Sequence, residues 1–361
     1  MPAAKCAIVA TVIVVSTFDL PSPGDASGLD VALATLGPSR IAKLAVFAKV
    51  AGDYDDGARE RARDALDECV ARHRLADRAR TLVAVGCEGV ATPFGYILAE
   101  VEGPSSVAPR LAMGFARGLA PDWPPSDPAA AVAQVADTVR AAMRDARLAP
   151  EAVVTAFVKL PAPRAARPDE ERIRGRTARG LAAIGAGVAL GEIAPDVVAR
   201  PLDPALHCTR AQTFAGPEVT AIEAIVLGNR AGAGGDLVAH RAVLADLLDT
   251  RSVKRVLVAA GLALDADGEL AAPDRVAACL VKAGVADDGR IRGAPTTIHR
   301  STIAPERHMR AALSGVFGAL LGTTRLFITG DPVHAAPPGG GIACLVVRAE
   351  PDRDSRNGLR P

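Results

Sequence analysis

The chain reads as an α/β protein in which three α/β domains, related by a pseudo-threefold repeat, pack their sheets around one central site. Three recurrences predict this. A lysine closes an apolar, strand-like run at Phe47-Ala48-Lys49, Phe157-Val158-Lys159 and Leu280-Val281-Lys282. An arginine then opens a small-residue helix at Ala58-Arg59, Ala178-Arg179 and Met309-Arg310. A second apolar run breaks at a turn: Ala84-Val85-Gly86-Cys87-Glu88, Phe214-Ala215-Gly216-Pro217-Glu218 and Thr329-Gly330-Asp331-Pro332-Val333. A length of 361 residues suits two or three domains, and the repeat favours three, over 1–103, 107–230 and 237–349.

The first unit opens on an apolar run, 6–15. Its β-branched residues Ile8, Val9, Val12, Ile13, Val14 and Val15 predict a buried strand. A polar turn over 21–27 leads into a helix over 28–36. A strand over 41–49 passes through Gly52-Asp53 to a helix over 57–73, and a strand over 81–85 closes the unit. In the second unit, 111–118 is a strand by correspondence with the first. Val132, Val135, Val139 and Met143 recur at helical spacing and predict a helix over 128–146. A strand over 152–159 follows, then a helix over 176–190 whose Ala and Gly content lets it approach a neighbour closely, then a strand over 221–227. The glycine-rich stretch 231–235 is the second linker. The third unit reads as a helix over 238–248, a strand over 255–262, a run over 273–282, a helix over 305–321 and a strand over 324–329. Its Pro337-Pro338-Gly339-Gly340-Gly341 turn leads to a last strand over 342–347. The charged tail 350–361 is expected to be disordered.

Composition excludes several functions. Net charge is +1, from 42 basic against 41 acidic residues, and only 3% of residues are aromatic. A nucleic-acid partner is not expected, since there is neither a basic block nor aromatics for base stacking. The opening apolar run is too short to span a bilayer and lacks a clean cleavage site, so no membrane association is expected and the chain is read as cytoplasmic. Six scattered cysteines without a C-x-x-C pair read as reduced thiols, with no disulfide framework or zinc site. No cofactor is implied.

The repeated residues suggest a small-molecule site. Three arginines on related helices present planar forks that match carbonyl or oxyanion oxygens; taken singly, each could be a helix-surface ion pair. A lysine ending a buried strand among other cations has its ammonium pKa depressed, which frees the amine as base or nucleophile. Taken singly, such a lysine could also snorkel to water.

Further segments carry a resemblance: Pro23-Gly24-Asp25-Ala26-Ser27-Gly28-Leu29, Lys49-Val50-Ala51-Gly52-Asp53, Ala178-Arg179-Gly180-Leu181-Ala182, Glu223-Ala224-Ile225-Val226-Leu227-Gly228-Asn229, Gly289-Arg290-Ile291-Arg292-Gly293, Arg307-His308-Met309-Arg310-Ala311-Ala312 and the closing Pro-Pro-Gly turn. In these, over nearly its whole length and in the right order, the chain resembles the cyanuric acid hydrolase/barbiturase family of ring-opening amidohydrolases. The resemblance implies three pseudo-symmetric α/β domains, a homotetramer, and a site of three Ser-Lys pairs with one arginine per domain gripping a cyclic imide. It places the lysines at Lys49, Lys159 and Lys282, and the arginines at Arg59, Arg179 and Arg310.

The implied serine positions read Ala84, Phe214 and Thr329 instead. The residues after them, whose N–H groups would meet a ligand oxygen, read Val85, Ala215 and Gly330. Phe214 would fill space where a triazine oxygen should sit, so cyanuric acid is not the expected substrate. Thr329, paired with Lys282, keeps the one hydroxyl; Cys87 is an alternative nucleophile or a structural thiol. Glu88 and Glu218 recur at matching places, with Asp331 nearby in the third copy, to orient lysines or cap turns. The family's structural metal would need an acid two residues after the third lysine, where Gly284 stands, so no metal is expected. The reading is an enzyme acting on a cyclic amide or imide heterocycle, by hydrolysis or by the related ring closure or isomerisation, with lysine bases and arginine clamps. The alternative is a non-catalytic binder or pseudoenzyme that keeps the cationic ligand site.

Overall fold

The computed structural model describes residues 10–53, 56–195, 203, 205–286, 288–297 and 305–350. One strand plan is laid down three times. The first sheet is built from β1 (Thr11–Asp19), β2 (Ile41–Ala51), β3 (Ala79–Gly86) and β4 (Phe94–Glu102), in the order β1-β4-β2-β3. The second uses β5 (Arg110–Gly118), β6 (Val153–Pro161), β7 (Ala211–Gly216) and β8 (Ile222–Arg230), in the order β5-β8-β6-β7. The third uses β9 (Leu237–Leu244), β10 (Val276–Ala283), β13 (Phe327–Thr329) and β14 (Gly341–Arg348), in the order β9-β14-β10-β13. In every sheet the two pairings made by the last strand are antiparallel and the remaining one is parallel. A short ribbon, β11 (Arg290–Ile291) with β12 (Ala294–Pro295), stands apart.

Each sheet carries two helices: α1 (Ser27–Leu36) and α2 (Ala58–Arg72), α3 (Pro128–Ala146) and α4 (Pro168–Ala189), α5 (Thr250–Ala259) and α6 (Pro305–Leu321). Strand alternation divides the core accordingly. Leu44, Val46 and Ala48 of β2 face the cluster shared with Leu29, Leu33 and Leu66 of the helices. Ala45 and Phe47 face the other way, into one cluster to which all three sheets contribute. Its middle is aromatic: the Phe47 ring meets Phe157 edge-on at 4.8 Å and Phe327 at 5.8 Å, one ring from each sheet. Gly185 of α4 lies so close to α3 that a Cβ there would sit 2.5 Å from Val135 Cβ and 2.8 Å from Val132 O. This is the close approach expected of that small-residue helix. Among the described residues no helix is long and apolar enough to cross a membrane.

Several expectations are corrected. Residues 238–248 are not a helix; they hold strand β9, whose alternating burial shows one face against the core. Residues 255–262 are not a strand, since α5 covers most of them, capped by Asp249, which accepts from Ser252 N at 3.0 Å, and buried through Val253 and Leu257. Strand β4 was not anticipated, although it sits between β1 and β2 and is almost wholly buried. Strand β1 is an edge strand, buried chiefly at Ile13 and Phe18; residues 6–9 of the expected strand and 351–361 of the expected tail lie outside the described residues. Helix α4 begins eight residues before the expected start, so Arg179 stands in mid-helix and does not open it.

Phe47→Ala should remove the ring that joins the three inner faces and cost about 3–5 kcal/mol. Urea unfolding of wild type and variant checks this; a loss under about 1 kcal/mol, as for an ordinary surface change, would refute the aromatic junction as a main support.

Candidate functional site

Strand pairing assembles the site. In the parallel pairs, Lys49 stands opposite Ala84, Lys159 opposite Phe214, and Lys282 opposite Thr329. A buried lysine and the C-terminal part of the neighbouring strand therefore meet in all three sheets at the same register. Helix α2 brings Arg59, α4 brings Arg179 and α6 brings Arg310, all largely buried.

Each arginine crosses to the next sheet. Arg59 lies 3.7 Å from Glu218 and donates to Ala215 O at 3.0 Å. Arg179 ion-pairs with Asp331, which also holds Arg176 at 2.6 Å. Arg310 meets Glu88 at 3.1 Å and closes the ring. Two of the carboxylates also hold the lysine of their own sheet: Glu88 lies 2.6 Å from Lys49, and Glu218 pairs with Lys159. Backbone room makes this possible. A Cβ at Gly86 would lie 2.8 Å from Arg310 Nη1, and one at Gly216 would lie 2.5 Å from Arg59 Nη1.

The third station differs. Asp331 comes two residues after Thr329, whereas Glu88 and Glu218 come four after Ala84 and Phe214. The shorter side chain, placed earlier, goes to Arg179 and Arg176, and among the described residues no carboxylate lies within ion-pair distance of Lys282. Lys282 Nζ instead donates to Gly330 O at 2.7 Å and sits 4.8 Å from the centre of the Phe214 ring. Burial, then the Arg179 guanidinium, holds its ammonium well below the usual lysine range; Arg310 and Lys49 add to this and Asp331 offsets part of it. Burial also lowers Lys49 and Lys159, against the opposing pull of Glu88 and Glu218. The Thr329 hydroxyl donates to Val281 O at 3.3 Å, so the amine of Lys282 and this hydroxyl are turned to separate carbonyls.

Arg59, Ala84, Val85, Lys159, Arg179, Phe214, Ala215, Lys282, Arg310, Thr329 and Gly330 all border one central cavity of about 50 Å³. A single water needs roughly 10–15 Å³ on that measure, so the space suits a small ring. Lys49 is the expected residue that does not border it. Held by Glu88, it faces an adjoining cavity shared with Val50, Ala51 and Cys87, and Cys87 points its thiol towards Gly52 O at 3.5 Å. The central cavity therefore excludes Cys87. Val83 was missed: its carbonyl accepts from Lys159 Nζ at 2.8 Å, a backbone contact that no side-chain pattern announces. Arg176 was also missed, standing one helical turn before Arg179. A carboxylate at Gly284 would not fit, because even a Cβ there lies 2.6 Å from Pro332 Cδ; the position cannot supply the acid that the family's metal would need.

Residues 14–348 match the family model described as amidohydrolase ring-opening protein. A cyanuric acid amidohydrolase of Azorhizobium caulinodans is 32% identical, over 96% of this chain and 98% of its own length. A cyclic amide hydrolase of the same organism is 30% identical, over 91% and 98%. The solved structure of cyanuric acid hydrolase from A. caulinodans superposes with a TM-score of 0.81 at 31% identity, covering 94% of this chain and all (100%) of that one. A second solved structure, of a cyanuric acid hydrolase described as an evolutionary innovation by structural concatenation, also gives 0.81, at 27% identity.

Burial alone would raise the Glu218 carboxyl, but Lys159 and Arg59 outweigh it and hold it below the ordinary glutamate range. Glu218→Gln should therefore cost about 3–5 kcal/mol near neutral pH, because two cations lose their buried partner. The folded value lies below the unfolded one, so this stabilisation is complete above the unfolded carboxylate range and fades as pH falls through the folded value. Denaturant unfolding of both proteins against pH should show the deficit closing at acid pH; a deficit independent of pH would contradict the pairing.

Proposed function

Because the chain belongs to the ring-opening amidohydrolase family, we propose that it is an enzyme acting on the C–N bond of a small cyclic amide or imide, with Lys282 as principal base. The observation that carries this is the unneutralised Lys282 amine at a cavity ringed by three arginines. Arg59, Arg179 and Arg310 form the clamp on the ring's oxygens, where fixed guanidinium groups stabilise charge as it develops. Lys159 supports the clamp through Glu218, and Lys49 does the same from behind Glu88.

In the hydrolytic direction, Lys282 takes a proton from water as the oxygen bonds to a ring carbonyl carbon. The carbonyl oxygen becomes an alkoxide between the guanidinium groups. The C–N bond then breaks, and the leaving nitrogen takes the proton back from the lysine. Ring closure is the reverse of these steps. Neither direction requires an acyl-enzyme, which accords with Ala84 and Phe214 at positions without a hydroxyl and with Thr329 turned to Val281 O. The same two substitutions favour a second reading, a binder that keeps the cationic site without turnover. By resemblance the assembly is a homotetramer, which light scattering of the purified protein tests.

Lys282→Ala should lower kcat about 10²–10⁴-fold with little change in KM. The wild-type rate should rise with pH as Lys282 loses its proton and level off well below the ordinary lysine value, since the folded pKa is depressed. Unchanged turnover in Lys282→Ala would sink the base assignment. Tight binding of cyclic imides without any turnover would favour the binder. Turnover of cyanuric acid or barbiturate at ordinary enzyme rates of about 1–10³ s⁻¹ would overturn the role given to Phe214 in excluding them.

A further inference from the structure

Away from the central axis, on the helix side of the first sheet, three side chains of different metal-ligating chemistry converge. Asp30 stands in the first turn of α1; Cys69 and His73 stand four residues apart at the C-terminal end of α2. Asp30 Oδ1 lies 2.9 Å from His73 Nε2 and 3.7 Å from Cys69 Sγ, and all three donor atoms lie within 4.8 Å of one another. Around a tetrahedral zinc ion, with bonds of about 2.0–2.3 Å, neighbouring ligand atoms are roughly 3.3–3.6 Å apart. The three donors could reach that geometry by side-chain shifts of about an ångström. Cys69 is wholly buried, whereas His73 and Asp30 are increasingly exposed, so the open side of the triangle faces solvent.

The backbone also favours a cation here. The last carbonyls of a helix carry partial negative charge, and Cys69 and His73 belong to the last turn and cap of α2. The competing cation is Arg72, 3.6 Å from Asp30; with 60% of its side chain exposed it can swing into water.

We propose that Asp30, Cys69 and His73 form a site for one thiophilic divalent cation of the Zn²⁺ type, clamping α1 to α2 and leaving a fourth position for water. On binding, Cys69 releases its thiol proton to solvent and ligates as thiolate, His73 ligates through Nε2 as neutral imidazole, and Asp30 ligates through Oδ1. The site shares no residue with the central cavity, so it stands or falls independently of the proposed activity.

The test is a titration of the full-length protein with Co²⁺, followed by absorbance. The expected result is a thiolate-to-metal charge-transfer band with tetrahedral visible bands, saturating at one equivalent and abolished by one equivalent of Zn²⁺. Cys69→Ser should remove the charge-transfer band, His73→Gln should weaken binding at least about tenfold, and Cys87→Ser should leave the spectrum unchanged. His73 is partly exposed, so His73→Gln tests the site even if Cys69→Ser does not fold. A featureless spectrum at saturating Co²⁺, bands that survive in His73→Gln at wild-type affinity, or bands lost in Cys87→Ser would each overturn the proposal.

Discussion

The structure depends on keeping six basic side chains together around one axis. Lys49, Lys159, Lys282, Arg59, Arg179 and Arg310 are all largely buried, and three carboxylates, Glu88, Glu218 and Asp331, stand among them. Among the described residues, Lys49 and Lys159 each have a carboxylate at ion-pair distance and Lys282 has none, so positive charge is least compensated there, in surroundings where an unmatched charge costs several kcal/mol. Two outcomes relieve it: a lysine gives up its proton, or an electron-rich ligand enters. The geometry directs the first outcome to Lys282, because Asp331 is spent on Arg179 and Arg176. It invites the second at the cavity that the guanidinium groups surround.

Much of this was legible in the sequence because the repeat fixes register. Once three lysines are taken as strand ends and three turns as the ends of parallel partners, the opposition of Lys49 to Ala84, Lys159 to Phe214 and Lys282 to Thr329 follows from pairing alone. The unequal spacing of Glu88, Glu218 and Asp331 was equally visible. What it does was not, since the reach of a carboxylate to a neighbouring sheet is a property of packing. Lys49 shows the limit well: its pattern matches the other two lysines, yet Glu88 stands between it and the central cavity.

The fold was misread where local pattern and tertiary setting disagree. Residues 237–244 mix apolar and charged residues in a way that suits a helix as well as a strand, and pairing with β14 decides the matter. Where a strand over 255–262 was expected, the Asp249 cap and the four-residue spacing of Val253 and Leu257 make a helix, α5, with one buried face. Strand β4 escaped notice because the repeat was traced through its lysines and turns, and this strand carries neither. Its homologues in position, β8 and β14, hold each sheet together from the middle.

The arginine-to-carboxylate contacts all run in the same sense: first sheet to second, second to third, third to first. In the language of assemblies this is a head-to-tail interface within one chain, and such interfaces must either close or continue. Here closure comes at three. A fragment with two sheets would leave this contact unmade at both ends, an arginine lacking the next sheet's carboxylate and a carboxylate lacking the arginine that reaches it. Joining three units in a single polypeptide thus does more than build a pocket: it satisfies every one of these head-to-tail contacts within one chain.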